Sequence, residues 1–162
     1  MRFYIKEKVF SFGDDFTITD ERGNIAFVVK GQVFSFGNKL RLYDAAGREL
    51  IYIEQKLFKF LPQYTLYAGN NELATVKKNF TFFSHSFDID SVYGSYQLDG
   101  DFTGHDFTIY KQNGTFAASL IKKWFSFGDS YEIEIGDSEN LPFTLALVIV
   151  VDQVIHDNRN NQ

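Results

Sequence analysis

The 162-residue chain contains no cysteine, which rules out disulfides, thiol catalysis and thiolate-bound zinc. Proline is nearly absent, with two in the chain, and methionine and tryptophan occur once each. The most apolar run, 141–151, stops at Asp152 and falls short of the roughly 18 to 20 residues a spanning helix needs, so the chain is not expected to span a membrane. Basic residues are outnumbered by acidic ones, 16 to 21, and a net charge of -5 leaves no basic surface for general nucleic-acid binding. Lys6, Glu7 and Lys8 break the stretch MRFYIKEKVF where a secretory signal needs unbroken apolar residues, so a soluble, cytoplasmic protein is expected. What abounds is aromatic: 19 Phe and 9 Tyr bring the aromatic share to 18%, a composition that favours strands in one globular domain.

The aromatics recur. FSFG stands at Phe10–Gly13, Phe34–Gly37 and Phe125–Gly128, and an aromatic or Leu follows each copy three residues after its Gly, at Phe16, Leu40 and Tyr131. Equivalent anchors are Tyr64, Phe87 and Phe107. Seven residues beyond the anchors lie Gly23, Gly47, Asn71, Gly94, Gly114 and Ser138, a composition selected by turns that need positive φ. Each of six units is therefore expected to hold one hairpin turn.

From anchor to turn the residues alternate. Phe16 and Ile18, Leu40 and Leu42, Tyr64 and Leu66, Phe87 and Ile89, Phe107 and Ile109, and Tyr131 and Ile133 share one face, with Thr, Arg, Asp and Glu on the other. That is the pattern of half-buried antiparallel strands. After the turn, Ala26 and Val28 align with Leu50 and Tyr52 and with Ala74 and Val76, whereas later units favour Tyr96 and Leu98, or Phe116, Ala118 and Leu120. The register of these second strands stays open between a shift and a bulge.

Six hairpins make about twelve strands, which must curl or close to hide their edges, and a closed antiparallel barrel of that size leaves a lumen to be filled. The segment after Asn140, LPFTLALVIVVDQVI, is apolar all round a helical wheel and suits that lumen. Asn140 or Ser138 can cap it, and Pro142 is harmless in a first turn. A final strand is the competing reading because Val148–Val151 are β-branched, but the length favours a helix over about 140–156. The expected organisation is a single barrel domain over 1–156, core helix included, and a polar tail over 157–162.

The FSFG units, the aromatic-x-Ile strands, the glycine turns and the terminal apolar helix together resemble the LURP-one-related family, whose fold is shared with the tubby C-terminal domain and the phospholipid scramblases. The resemblance covers the chain to about His156. It implies a twelve-stranded β-barrel wound around a hydrophobic C-terminal helix. Its motifs are structural and carry no chemistry across. Tubby proteins bind phosphoinositide headgroups through basic residues, and no matching headgroup motif occurs here.

Few residues suggest a site. His85 and His105 each stand two residues before an anchor, where other units have Asp14, Asn38, Pro62 and Asp129; polar loop positions are the plain reading, a metal pair or a pH sensor the alternatives. His156, near Asp157 and Arg159, has no expected role. Asp88, Asp90, Asp99, Asp101 and Asp106 gather around the fourth unit, but Val92 and Tyr93 stand where a calcium loop needs ligands, so a solvated strand face is favoured over weak calcium binding. Lys77 with Lys78, and Lys122 with Lys123, near Lys56 and Lys59 in the repeat phase, are candidate contacts to an anionic headgroup, against a plain reading as edge and surface charges. No catalytic motif is present, and no catalytic residue, metal site or cofactor is expected.

The expected function is a non-catalytic barrel module of interaction or scaffold type. Peripheral binding of anionic phospholipid or phosphoinositide headgroups is the alternative, and an enzyme a distant third. Because 29 rings exceed what one helix-filled barrel can bury, a protein partner or homodimer is expected to cover the surplus.

Overall fold

The structure is a computed structural model that describes residues 1–6, 15–34, 37–57, 60–79, 86–101, 105–125 and 128–157. Twelve strands precede one helix: β1 (Arg2–Ile5), β2 (Phe16–Thr19), β3 (Ile25–Phe34), β4 (Gly37–Asp44), β5 (Glu49–Gln55), β6 (Gln63–Ala68), β7 (Asn71–Asn79), β8 (Ser86–Ser91), β9 (Gly94–Asp101), β10 (Asp106–Lys111), β11 (Phe116–Phe125), β12 (Gly128–Ile135) and α1 (Leu141–Asp157). Sequential strands pair antiparallel, and β12 closes on β1 from Arg2↔Glu134 to Ile5↔Tyr131, making a closed barrel.

All six anchors and all six aliphatic residues two positions later are buried, as their alternation requires. Phe34↔Gly37 and Phe125↔Gly128 are the last pairs of the β3–β4 and β11–β12 ladders, so FSFG marks where one unit reverses into the next. The first copy, Phe10–Gly13, lies outside the described residues. At the opposite, hairpin end, Asp20 and Asp44 close their turns by accepting backbone N–H bonds, from Arg22 and Asn24 and from Ala46 and Arg48. In the third unit Gly69, at φ 57°, takes the left-handed turn position, and Asn71 already begins β7.

Turn length decides the open register. Phe16 opposes Val29, Leu40 opposes Ile53, Tyr64 opposes Val76 and Phe107 opposes Leu120, with register shifts in β2, β4, β6 and β10 just before their turns. The first two turns are one residue longer than the third, so Phe27 and Val29, and Ile51 and Ile53, are buried, while Ala26, Val28, Leu50 and Tyr52 are only half-buried. In the third unit Ala74 and Val76 do point in.

The lumen is filled by α1, which starts at the hairpin end and runs toward the junction end, where units join. Asn140 is its N-cap: its Oδ1 accepts the N–H of Phe143 at 3.2 Å, and its carbonyl accepts that of Thr144 at 2.9 Å. Every residue from Phe143 to Ile155 is buried, including Thr144, Asp152 and Gln153. At about 1.5 Å per residue the helix spans roughly 25 Å, the height of a strand of about ten residues at about 3.3 Å each tilted some 40°.

Surplus rings on the outer wall are covered by cations. Arg41 lies 4.8 Å over Tyr52, Lys30 5.6 Å over Tyr43 and Lys56 5.3 Å over Tyr67, and the rings of Tyr52 and Tyr67 stack at 6.0 Å.

Candidate functional site

Consecutive residues on a strand face opposite sides, and this splits both lysine pairs. Lys77 is exposed on the outer wall across from Asp88, whereas Lys78 follows the inward phase across from Phe87, where burial pushes its ammonium pKa down. Lys122 also falls in the inward phase, across from Tyr131 with its Nζ 6.0 Å from that ring, and Lys123 turns outward to Glu132 at 3.8 Å. Three strands separate β7 from β11, so at roughly 4.8 Å per strand Lys77 and Lys123 stand about 19 Å apart around the wall. The four lysines do not meet on one outer face.

His85 lies outside the described residues. His105 is more enclosed than a loop histidine: its side chain is 14% exposed, its φ is 57°, and its ring packs edge-on against Tyr131 at 5.2 Å. Its Nδ1 is 3.0 Å from Oδ1 of Asp152, a fully buried carboxylate on α1. The pair ties the β9–β10 connection to the core helix at the junction end. Asp152 escaped the sequence reading because a single acid inside an apolar run looks like a run terminator; its burial is visible only once the helix is inside the barrel. The adjacent Gln153 is also buried, and both polar atoms of its amide lack a hydrogen-bond partner among the described residues.

A second polar knot sits at the hairpin end. Glu139, its side chain 1% exposed, accepts the phenol O–H of Tyr96 on Oε2 at 3.0 Å, while Lys111 Nζ lies 2.8 Å from Oε1. The lysine is close but off the hydrogen-bonding direction, so that contact is chiefly Coulombic. Burial, then the hydrogen bond to Glu139, pushes the Tyr96 phenol pKa well up, which keeps it a donor. The rings of Tyr93 and Tyr96 lie 4.8 and 6.0 Å from Phe143 on α1. This knot joins β9, the end of β10 and the helix start.

Above it two shallow depressions share Ser95 and Gln112. One, of about 450 Å³, lies over Tyr93, Gly94 and Lys111 at the turn; the other, of about 310 Å³, runs along β8 and β9 with Phe87, Ile89 and Tyr96 beneath and Asp88, Asp90 and Gln97 around it. Ser95 Oγ donates to Asp90 Oδ1 at 3.1 Å, and among the described residues no histidine lines either depression. Among the described residues no cluster of three His, Asp or Glu is placed to hold a metal ion. Among the described residues no helix is long and apolar enough to cross a membrane. The acidic residues of the fourth unit do converge on this wall: Asp88, Asp90, Asp99 and Asp106 are all exposed on β8–β10.

A closed twelve-strand barrel threaded by its own apolar helix is the architecture expected of the LURP-one-related proteins, and the chain belongs to that family, whose model matches residues 1–152. It is 34% identical over 157 residues to the uncharacterized protein YxjI of Bacillus subtilis (strain 168), covering 97% of this chain and 95% of that protein. Its fold is also similar to the X-ray structure of the Arabidopsis thaliana protein AT5G01750, with a TM-score of 0.65 over 94% of this chain and 91% of that one at 18% identity.

Proposed function

We propose that this chain is a non-catalytic interaction module that works through its outer wall. The observation that carries the reading is the filled lumen: where a barrel of this size could hold a ligand, Phe143–Ile155 of the chain's own helix occupy the space. The inward residues of the repeats are spent on that packing, and the two depressions over β8 and β9 lie outside it. The proposal includes a cytoplasmic location. A metabolite-library screen on the full chain tests it, with loss of any turnover in His105→Ala as the specificity control. Turnover that depends on His105 would sink the reading.

A second reading, peripheral binding to anionic phospholipid, is favoured by one feature. Between β5 and β6, Phe60 is 97% exposed and Leu57 40% exposed, in the lysine-bearing stretch KLFKFLP. Exposed apolar side chains in a stretch of sequence that carries lysines suit the headgroup boundary of an anionic membrane. Flotation with phosphatidylserine vesicles tests this; salt-sensitive binding abolished by Phe60→Ser supports it, and no binding at low salt excludes it. Homodimerisation belongs to the first reading, and light scattering at several concentrations that returns only the 18.7 kDa monomer would count against it.

A further inference from the structure

At the hairpin end, the turn from β8 to β9 carries an aromatic side chain, Tyr93, whereas the other hairpin turns, residues 20–24, 45–48, 69–70 and 112–115, carry none. The turn does not need the ring to close. Ser91 Oγ accepts the Tyr93 N–H at 3.0 Å and donates to the Gly94 carbonyl at 2.7 Å, and Gly94 takes the positive φ of 106°. The ring leans on Phe143 in the first turn of α1, with centroids 4.8 Å apart, yet Tyr93 remains 39% exposed. It is a platform held on one side and open to water on the other.

Tyr93 borders the depression of about 450 Å³, which adjoins the one of about 310 Å³ through Ser95 and Gln112. Both volumes fall in the range of small-molecule sites, about 300–1,000 Å³. The polar groups around them keep spare bonding capacity. Asp90 takes the Ser95 hydroxyl on Oδ1 and retains Oδ2, Asn113 uses Oδ1 for the Thr115 N–H at 3.0 Å and retains its NH2 donors, and the side chains of Gln97 and Gln112 are exposed. Charge narrows the ligand. Lys111 borders the first depression with its ammonium held by Glu139 at 2.8 Å, and Asp88 and Asp90 border the second. An anion spanning both depressions would face the two carboxylates and a cation would face Lys111, whereas a neutral molecule meets neither repulsion. A largely apolar ligand needs an enclosed site, which these shallow depressions are not. A pyranose ring supplies what fits: hydroxyls for the amides and carboxylates, and a face of weakly positive C–H groups for the negative face of an aromatic ring.

We infer that the two depressions are adjoining subsites for a neutral disaccharide, one pyranose ring stacked on Tyr93 beside Gln112 and Asn113 and the next lying across Ser95 toward Asp90 and Gln97. This rests on the interaction-module reading and gives its outer wall a class of ligand.

The test uses the full chain, labelled for amide NMR and titrated with neutral disaccharides of glucose, galactose, mannose and N-acetylglucosamine and with the corresponding monosaccharides. At least one disaccharide should shift the backbone amides of Tyr93 and Ser95 and the side-chain amides of Gln112 and Asn113, with a Kd of about millimolar order and at least about fivefold tighter than its monosaccharide. Tyr93→Ala should weaken that binding by about fivefold or more and Tyr93→Phe should retain it. Should Tyr93→Ala unfold the chain, Gln112→Ala, at an exposed position, should still weaken binding by about threefold or more. Raised salt should leave the affinity unchanged, because the ligand carries no charge. No shift of these amides by any of the disaccharides at about 50 mM, shifts confined to another surface, or binding indifferent to both Tyr93→Ala and Gln112→Ala overturns the inference. A disaccharide that binds no tighter than its monosaccharide overturns the paired subsites. A peptide alternating lysine with valine that shifts these amides where no sugar does assigns the wall to a basic protein partner and overturns the sugar while leaving the interaction reading standing, whereas histidine-dependent turnover in the metabolite screen removes that reading itself.

Discussion

Glu139 offers the sharpest test of how the barrel and its helix are joined. Its carboxylate is 1% exposed, and among the described residues its cationic neighbour is Lys111, at 2.8 Å. Lys111→Met keeps the aliphatic stem but strands the carboxylate in the wall with only the Tyr96 hydroxyl as donor. Removing one member of a buried ion pair costs about 3–5 kcal/mol. Lys111 is itself 27% exposed, so solvent already screens part of the attraction, and the expected loss is nearer 2–3 kcal/mol. In a domain of this size each kcal/mol moves Tm by about 2–4 °C, which gives a fall of roughly 4–12 °C. The double variant Lys111→Met with Glu139→Gln carries no stranded charge and should recover part of the loss, with a coupling of about 1–2 kcal/mol. Urea denaturation of the parent chain, both single variants and the double variant measures that coupling. A Lys111→Met chain within about 0.5 kcal/mol of the parent, or strictly additive losses, would refute the account of Glu139 as a buried charge held by its cation.

The Tyr96 phenol predicts an alkaline limb. Because its folded pKa lies above its ordinary value of 10.0, the unfolded chain loses that proton first, so this stabilising contribution is complete below pH 10 and declines as pH rises beyond it. Tyr96→Phe should flatten that decline at the cost of about 1.5–3 kcal/mol at neutral pH, as followed by thermal melts across pH. Gly100 and Gly114 both have positive φ, at 139° and 85°, but a Cβ on Gly100 would come 2.5 Å from the Asp106 carbonyl oxygen, whereas one on Gly114 meets nothing within 4 Å. Gly114→Ala should cost about 1–2 kcal/mol and Gly100→Ala clearly more; equal denaturation midpoints would contradict the close approach of β9 to β10. Leu147→Ala, in the middle of the core helix, should cost about 2–5 kcal/mol and Asn140→Ala, at its cap, about 1 kcal/mol, and reversal of that order in urea melts would contradict a helix held mainly by burial.

The architecture was legible in the amino-acid order because strand alternation and helix hydrophobicity are local patterns. Phe16 with Ile18, Leu40 with Leu42 and the four later pairs declare an inward face whatever lies opposite, and LPFTLALVIVVDQVI has no polar side to show to water. The return strands were not legible in this way. Whether Ala26 or Phe27 faces the helix depends on the length of the turn before it, and a shift of one residue exchanges the two faces.

The site residues divide along the same line. Sequence alone showed that Asp88 and Asp90 lie on the outer phase of one strand, and that consecutive lysines such as Lys77 and Lys78 must split between faces once a strand is assumed. It held no sign that Lys111 meets Glu139, that Asp152 lies beside His105, or where the bulges of β2, β4, β6 and β10 fall. Those facts join residues far apart in the chain or turn on where a ladder stops. Periodicity records which way a side chain points; only closure of the barrel around its helix decides what it points at.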